Sequence, residues 1–390
     1  MKQFLLATTI FLSFFSFSQT PIITNNTEIS IITIGPGNLL NDSFGHNGFR
    51  VKNEYTDVIY DYGRYNFKDP NFYLNFAQGK LKYLMGKARS SDVIAFYKSQ
   101  DRTIKEQVLN IDKTEKQKLW SYLINNNKPE NQAYLYDFFY DNCATKIRDV
   151  LEETLNGNIT YKNPENYSQE TFRTLIQNNL HWNNWGSFGI NLALGSVIDQ
   201  KATPREYMFL PENIFNFYEL ATFKKNNTPV VKQSKVLYLS TYNKENNMFL
   251  FSPLLILSLL STLIIWLTYR DYKNSTRNKW LDIFIQSITG IIGVLLVLLW
   301  FATDHTATQN NYNLLWAFPL GIIAAFQAFK KTPNTWYLGY LKLLIIMLCL
   351  MTLHWVIGVQ RFAITLIPIL IALCIRYIFL IGFYKLQKVK

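Results

Sequence analysis

Residues 140–157 read YDNCATKIRDVLEETLNG, and this stretch predicts a helix that begins at a cysteine. Asp141 or Asn142 is a good helix-capping residue, which places Cys143 in the first turn. Apolar side chains then recur at helical spacing with charged ones between them, and Gly157 is a natural end. The apolar positions are Ile147, Val150, Leu151 and Leu155, and the charged positions, which we interpret as helix surface, are Arg148, Asp149, Glu152 and Glu153.

The composition divides the 390-residue chain into a mixed N-terminal part and a strongly hydrophobic C-terminal part. Residues 1–18 predict a secretory signal peptide, because Lys2 precedes a short apolar run and Ser16 and Ser18 fit a cleavage site. We expect residues 19–245 to form an exported domain and residues 246–390 a transmembrane domain. Cys143 is the only cysteine of the exported part, so no disulfide framework is available to it.

Five hydrophobic segments of the C-terminal part approach the ~20 residues that cross a bilayer as a helix, although the third is short and contains Pro319. If the signal exports the domain before them, the loops on the inner side carry 4, 2 and 3 Lys or Arg residues and those on the outer side 0 and 1. This agrees with the positive-inside rule and predicts a multi-pass protein of the inner (cytoplasmic) membrane. The segments are Met248 to Thr268, Leu281 to Ala302, Leu314 to Phe329, Tyr340 to Gly358 and Phe362 to Tyr384.

The formal net charge of +12 gives no reason to expect a nucleic-acid partner, because many of the basic residues lie beside membrane segments. Lys342 and Arg376 lie near the inner ends of segments, where we expect them to snorkel towards water. The glycines have no phosphate-loop spacing, and the histidines lack close ligand spacing for a metal. We therefore expect neither a soluble cofactor nor a bound metal.

The exported part begins with strand patterns and continues with helical ones, which predicts an α+β domain. In the run from His46 to Val51, His46, Gly48 and Arg50 share one side. The predicted strands are Ile29 to Ile34, His46 to Val51, Thr56 to Tyr62, Leu81 to Leu84 and Val93 to Tyr97, and Thr114 to Asn125 is a predicted helix with Thr114 as its cap.

Cys143 is a candidate nucleophile because helix N–H groups and the helix dipole stabilise a thiolate in the first turn. A thiolate needs a base to cycle, and the exported part offers only His46 and His181. His46 opens a predicted strand, where its imidazole can project from the sheet edge, whereas His181 lies in a plausible surface segment. The alternative is a buried structural thiol and an unrelated surface histidine.

A strand-borne histidine followed by a helix-borne cysteine resembles the circularly permuted papain-like (NlpC-like) enzymes. More closely, the chain resembles the Lnb-type lipoprotein N-acyltransferases of Bacteroidetes. The motifs that carry this resemblance are Gly45-His46, Tyr60-Asp61-Tyr62-Gly63, residues 141–149 (DNCATKIRD), the outer loop and following segment at residues 304–320, and the five-segment tail. The resemblance implies that residues 19–245 form a periplasmic, cysteine-enzyme-like domain with an NlpC-like α+β fold, followed by a transmembrane bundle of five helices.

The resemblance also implies a membrane-bound acyltransferase. Cys143 would take a fatty acyl chain from a phospholipid or a diacylated lipoprotein as a thioester, with His46 as general base. The α-amine of a lipoprotein's N-terminal cysteine would then accept the chain. Asp61 is our choice for the residue that orients His46, although an exposed turn residue is an equal interpretation. Asn142 is either a helix cap or an oxyanion donor, and the Cys143 backbone N–H is the other candidate donor.

A second polar group lies at the outer face of the membrane segments. These residues are either simple interfacial anchors or functional groups. Within this group His305 is a candidate second base, and Arg361 a candidate ligand of a lipid phosphate. The group comprises Asp304, His305, Asn311, Asn313, His354 and Arg361.

Two other functions stay open at this point. A papain-like peptidase or amidase of cell-wall peptides would use the same thiol, although five spans exceed what a tethered wall enzyme needs. A non-catalytic membrane scaffold would not depend on Cys143 at all.

Overall fold

A computed structural model describes residues 23–165, 167–241 and 249–389. The predicted signal peptide and the predicted domain junction at residues 245 and 246 lie outside these ranges.

The N-terminal part is built on an antiparallel sheet that has seven strands in the described residues. Its strands are β1 (Glu28–Ile34), β2 (His46–Lys52), β3 (Asp57–Arg64), β4 (Lys82–Arg89), β5 (Ile104–Leu109), β6 (Ala133–Leu135) and β9 (Val231–Tyr238), while β7 (Ile159–Thr160) and β8 (Thr222–Phe223) form a separate pair. The order across the sheet is β6-β4-β3-β2-β1-β5-β9. Strand β2 lies at the centre, between β1 and β3, so His46 at its first residue sits at one end of the sheet.

Helices cover both faces of this sheet. On one face, the helix that begins at Cys143 packs across β2 and β3 and buries Ile147 and Leu151 against Phe49 and Val51. On the other face, a helix from Ser90 packs Val93, Ile94 and Tyr97 against isoleucines of the sheet. The helices of this part are α1 (Phe72–Ala77), α2 (Ser90–Ser99), α3 (Lys113–Asn126), α4 (Cys143–Thr154), α5 (Phe172–Gln177), α6 (Trp185–Ala193), α7 (Pro204–Tyr207) and α8 (Pro211–Leu220).

Most of the predicted elements of this part are confirmed to within a few residues, and two details are wrong. Residues 93–97 are helical, because the apolar side chains at positions 93, 94 and 97 have the spacing of one helix face. The cap of α3 is Asp112 and not Thr114, since Asp112 accepts from the Glu115 N–H while the Glu115 carboxylate accepts from the Asp112 N–H.

The C-terminal part is a helical bundle, and in the described residues four of its helices are long and apolar enough to cross a membrane. Helix α9 packs against α13, α10 packs against α11, and α12 also packs against α13. The helices are α9 (Pro253–Lys273), α10 (Lys279–Phe301), α11 (Gly321–Phe329), α12 (Thr335–Val356) and α13 (Ile367–Val389).

The third predicted segment is not one long helix. It consists of a 3-10 turn at Tyr312–Leu315, a turn around Pro319, and α11, whose nine residues span about 14 Å. It nevertheless runs along the whole bundle, because Asn313 bonds to the N-terminal part at one end and Arg277 Nη2 donates to Ala328 O at 2.8 Å at the other. Gly290 and Gly293 of α10 allow its backbone to approach closely: a Cβ on Gly293 would lie 2.3 Å from Ala317 O.

Arg376 does not snorkel as predicted. Its side chain is 0% exposed and its guanidinium bridges two acidic residues, with Nε 2.7 Å from Asp282 Oδ1 and Nη1 2.8 Å from Asp271 Oδ2. The ion pairs join α13 to α9 and α10 at the inner end of the bundle. The hydrophobic pattern gives the depth of Arg376 in the segment but does not indicate the acidic partners that hold it inside.

The chain is therefore α+β, with a sheet-rich N-terminal domain followed by a helical bundle. The permuted papain-like topology and the five-helix transmembrane bundle stay predictions.

Candidate active site

Cys143 is the first residue of α4, and Asn142 is its N-cap, which agrees with the capping interpretation. Asn142 Oδ1 accepts hydrogen bonds from the N–H groups of Ala144 and Thr145, at 2.8 and 2.9 Å. Its Nδ2 donates to Phe138 O at 2.6 Å and to Phe209 O at 2.8 Å. Both amide hydrogens of Asn142 are thus used, and none is left to donate to an oxyanion.

The backbone N–H of Cys143 is differently placed. Asn142 satisfies the next two N–H groups of the helix, and the Lys146 N–H bonds to Asn142 O. Within the described residues the Cys143 N–H has no hydrogen-bond partner, because the Asn142 cap accepts from the next two N–H groups and the first N–H of a helix has no partner within the helix. It is therefore the better of the two candidate oxyanion donors.

His46 and Asp61 form a hydrogen-bonded chain with Cys143. His46 Nε2 lies 3.3 Å from Asp61 Oδ2, and the imidazole also forms a hydrogen bond with the Cys143 thiol. Asp61 is 7% exposed, so it is a buried partner of His46 and not the solvated turn residue of the alternative interpretation.

The charges of this chain stabilise one another. Burial raises the pKa of Cys143, but the charge and hydrogen bond of His46 and a hydrogen bond from the Asn47 N–H lower it below the ordinary 9.0. Burial lowers the pKa of His46, but Tyr97, the Cys143 sulfur and the Asp61 carboxylate together raise it well above 6.5. These opposite shifts favour the thiolate and imidazolium pair over the neutral thiol and imidazole.

Arg64 is a member of the site that the sequence analysis missed. Its Nε donates to Asp61 Oδ1 at 2.6 Å. Residues three apart in a regular strand point to opposite faces, but β3 shifts its register between Asp61 and Arg64, with Gly63 at a φ of 95°. Burial raises the pKa of Asp61, and His46 and Arg64 lower it below 3.8. A glycine in the Tyr60–Gly63 motif was the sequence signal for this bulge.

The site opens into a cavity of about 1020 Å³. This volume is at the upper end of the ~300–1,000 Å³ that is usual for ligand pockets. Its walls are mostly apolar and aromatic, with the polar chain at one side. Apolar and aromatic lining residues include Leu40, Phe44, Tyr83, Phe96, Tyr136, Phe138, Ile190, Leu194 and Phe209.

The membrane half completes this cavity. The loop after α10 contributes Asp304, His305 and the next three residues to the lining. His305 Nε2 lies 3.1 Å from Phe76 O, and the Asp304 N–H donates to Gln78 O at 2.8 Å. These contacts hold the loop against the N-terminal domain, and they show His305 in the cavity wall with one ring nitrogen engaged by a main-chain carbonyl.

Asn311 and Asn313 lie in the contact between the two halves and not in the cavity. Both are buried, and their amide groups donate to main-chain carbonyls at the C-terminal end of α6. Asn311 Nδ2 is 2.8 Å from Leu192 O, and Asn313 Nδ2 is 3.0 Å from Asn191 O. They therefore dock the domain on its membrane half, a role that neither of the two sequence interpretations included.

Arg361 and His354 are likewise apart from Cys143. The Arg361 N–H donates to Asp199 Oδ1 at 3.2 Å and its Nη1 to Thr174 Oγ1 at 3.1 Å, so it too joins the halves. The His354 ring packs edge-on against Tyr312, with ring centroids 4.5 Å apart. The structure thus brings Asp304 and His305 to the cavity and uses the other members of the polar group elsewhere.

Two further sequence interpretations are decided by the surroundings of the side chains. Arg148 is not a surface charge, because its side chain is 5% exposed and its Nη1 donates to Arg205 O at 2.9 Å. His181 accepts a hydrogen bond from the Asn183 N–H on Nδ1 and does not line the cavity. His46 is thus the histidine that the fold brings to the thiol.

Comparison with protein families matches both halves of the chain. Residues 16–178 match the family model of the Lnb N-terminal periplasmic domain, and residues 244–388 match that of the Lnb transmembrane domain. The chain belongs to the Lnb family. It is accordingly a multi-pass membrane protein with a periplasmic N-terminal domain, and the family domains point to lipoprotein biogenesis.

Within this Lnb-family protein, the interacting side chains of Cys143, His46, Asp61 and Arg64 lie in the matched periplasmic domain. Asp304 and His305 lie in the matched transmembrane domain. The cavity is therefore built by both family domains. No curated protein and no solved structure matches the chain.

Proposed function

We propose that this protein is an inner-membrane acyltransferase that moves a fatty acyl chain through a Cys143 thioester to the N-terminal α-amine of lipoproteins. The acyl donor is a phospholipid or a diacylated lipoprotein. The proposal rests on one observation: the side chains of Cys143, His46 and Asp61 interact at the wall of a large apolar cavity that the membrane half completes.

In the first step, Cys143 Sγ, as the thiolate, attacks the carbonyl carbon of the donor ester. The carbonyl oxygen becomes an oxyanion, and the backbone N–H of Cys143 is the donor available to stabilise it. The ester C–O bond then breaks, the His46 imidazolium gives its proton to the departing alkoxide, and the acyl chain remains on the sulfur as a thioester. His46 ends this step neutral.

In the second step, the neutral α-amine of the acceptor attacks the thioester carbonyl. His46, now neutral, takes the proton of the amine, the C–S bond breaks, and the product is an amide. The thiolate and imidazolium pair is thereby restored. Asp61 accepts from the imidazole throughout, which orients the ring in both steps, and it favours the protonated form, which assists the proton uptake of the second step.

The nature of the cavity favours a lipid donor over a cell-wall peptide. Exposing an acyl chain to water costs about 0.8 kcal/mol per methylene, whereas an apolar cavity beside the bilayer replaces one apolar surrounding by another. Peptides of the cell wall are polar, and this apolar lining would leave their hydrogen-bond donors and acceptors without partners. A peptidase or amidase is thus the weaker candidate.

The decisive experiment is the intact mass of the purified protein after incubation with phospholipid vesicles and a diacylated lipopeptide. We expect an added acyl mass that hydroxylamine removes, together with N-acylation of the lipopeptide. Cys143→Ser should abolish the acyl mass.

The chain offers a matched control. Cys374 is a second thiol, in the membrane half, and Cys374→Ser should acquire the acyl mass as the wild type does. An acyl mass that persists in Cys143→Ser, or a lipopeptide that is acylated equally by Cys143→Ser, would contradict the proposal.

A further inference from the structure

Helix α1 and the loop before it present an unusual set of exposed apolar side chains, which we term the interfacial patch. It comprises Phe67, Tyr73, Leu74 and Phe76, with side chains 65, 79, 55 and 54% exposed. Phe72 of the same helix is buried and packs on Phe67, with ring centroids 4.9 Å apart, so α1 is anchored while the patch points outward. A cluster of large apolar side chains on a surface marks a contact with a membrane or another protein.

The patch lies at the level of the outer end of a membrane span. Helix α10 ends at Phe301, and only two residues separate it from Asp304. The Asp304 N–H bonds to Gln78 O and the His305 ring bonds to Phe76 O, at the end of α1. Gly79 makes this approach possible, because a Cβ there would lie 3.0 Å from the His305 nitrogen.

The periplasmic domain also contacts the membrane half at the outer end of a second span, where α9 begins. Trp185 Nε1 donates to Phe251 O at 2.7 Å, and Asn183 Oδ1 accepts from the Leu254 N–H at 3.0 Å, at the start of α9. Trp182 and Trp185 are each 48% exposed, as is typical of side chains in the interface between a bilayer and water. These contacts place the base of the periplasmic domain at the bilayer surface.

The patch is continuous with the cavity. Phe76 and Gly79 line the same cavity as Cys143, while Tyr73 and Leu74 of the same short helix point outside it. Lys68 and Lys80 flank α1, and both are exposed, so their ammonium groups can reach lipid phosphates while the patch lies deeper.

We propose that the interfacial patch inserts into the periplasmic leaflet of the bilayer and forms the entrance through which a lipid passes sideways from the membrane to Cys143. The insertion stands on the exposure and position of the patch alone, and the passage of an acyl donor rests on the proposed function. The partner of this surface is the bilayer itself, because the patch adjoins the ends of the spans and leads into the cavity.

Insertion is tested with the full chain in phospholipid vesicles. All three native cysteines are replaced by alanine, a single cysteine is introduced as Tyr73→Cys, and it is labelled with an environment-sensitive NBD probe. We expect blue-shifted emission and quenching by lipids that carry a bromine or a spin label on the acyl chain.

Tyr55 provides the matched control. It is 87% exposed and lies in the turn after β2, at the end of that strand opposite His46 and the cavity. The same probe at Tyr55→Cys should emit as in water and escape the quencher. Equal emission and equal quenching at the two positions would overturn the proposed insertion.

The entrance is tested by two donors. The double variant Tyr73→Asp with Leu74→Asp should slow acylation of Cys143 from vesicle phospholipid by about tenfold or more, because charge is strongly disfavoured among acyl chains. Acylation by a water-soluble short-chain ester should stay within about twofold of wild type, since both side chains lie outside the cavity.

The outcomes separate this proposal from the proposed function. If neither donor acylates the wild type, the acyltransferase proposal fails, and the probe experiment still decides whether the patch inserts. If the wild type is acylated and the double variant is equally fast with both donors, the lateral entrance is wrong while the acyltransferase proposal stands.

Discussion

Arg64 Nε donates to Asp61 Oδ1 at 2.6 Å, on the side of the carboxylate away from His46. The carboxylate therefore has one cation at each oxygen, which fixes its orientation towards the imidazole. Gly86 leaves the room for this arrangement, because a Cβ there would lie 2.3 Å from the Arg64 Nε. The residue pair extends the site by one member beyond the thiol, the base and the carboxylate.

Replacing Asp61 by asparagine should shift the alkaline limb of the activity profile to lower pH. The pKa of His46 is raised, so its protonated form is present below that pKa and is lost as pH rises through it. Asparagine removes the carboxylate that stabilises the imidazolium, and the pKa of His46 then falls. We expect kcat/KM for a soluble ester at pH 8 to fall by about tenfold or more.

Asp57→Asn is the control for this change. Asp57 lies on the same strand but pairs with Arg50, at the other end of β3 from the site. Its variant should keep the alkaline limb of the wild type. An unchanged limb in Asp61→Asn would mean that the carboxylate does not act through His46.

Gly86→Ala should reproduce the effect of Arg64→Gln, although position 86 does not line the cavity. Either change removes the guanidinium from Asp61, and the pKa of that carboxyl, now lowered by His46 and Arg64, should rise. The carboxylate form exists above its pKa, so activity should be lost at a higher pH on the acid side. The measurement is kcat/KM for a soluble ester between pH 4 and pH 7.

Arg64→Lys tests whether Asp61 needs the fixed geometry of the Arg64 guanidinium or only its positive charge. A lysine keeps the charge but has no planar fork, so we expect partial recovery of the acid limb. A Gly86→Ala variant with the wild-type profile at every pH would show that the position of Arg64 has no bearing on the reaction.

The sequence was sufficient for the parts of the site that are local. Asn142 caps α4 because it immediately precedes the apolar period of that helix, and His46 begins β2 because an alternating pattern begins there. Arg64 could not be found in this way, since its alignment with Asp61 depends on a register shift between β3 and β4. Such a shift is set by the pairing of strands and leaves only a glycine as its trace in the sequence.

The same limit applies to the membrane half. Of the five predicted segments, hydropathy predicts well the four that are long helices in the described residues, because their length and composition are enough. It does not indicate that residues 312–329 fold as a turn and a short helix against the glycines of α10, since that depends on close tertiary packing. The roles of Asn311 and Asn313 also depend on a partner surface, the carbonyls that end α6.

Arg376→Met should destabilise the membrane half strongly. The change leaves Asp271 and Asp282 buried without the cation that both contact, and the loss of one partner from a buried ion pair costs about 3–5 kcal/mol. Thermal unfolding in detergent is the measurement. Lys342→Met on α12 is the control, because Lys342 is exposed and such changes are usually within about 0.5 kcal/mol. Equal unfolding temperatures would show that the ion pairs contribute little.

Gly195→Ala should separate the docking of the two halves from the chemistry of the thiol. The Gly195 N–H donates to Ala307 O at 2.9 Å, and a Cβ on Gly195 would lie only 1.8 Å from Gln309 O. A methyl group there forces the outer loop away and removes its residues from the cavity wall. We expect acylation from vesicle lipid to fall by about tenfold or more, while alkylation of Cys143 by iodoacetamide stays within about twofold.

The matched control is Gly189→Ala, on the preceding helix. Nothing lies within 4 Å of a Cβ at Gly189, so this variant should retain the wild-type rate in both assays. The comparison holds the chemical change constant and varies only the contact with the membrane half. If Gly195→Ala transfers acyl chains from vesicles as fast as Gly189→Ala, the loop is not needed to complete the cavity, and the periplasmic domain alone supplies the lipid site.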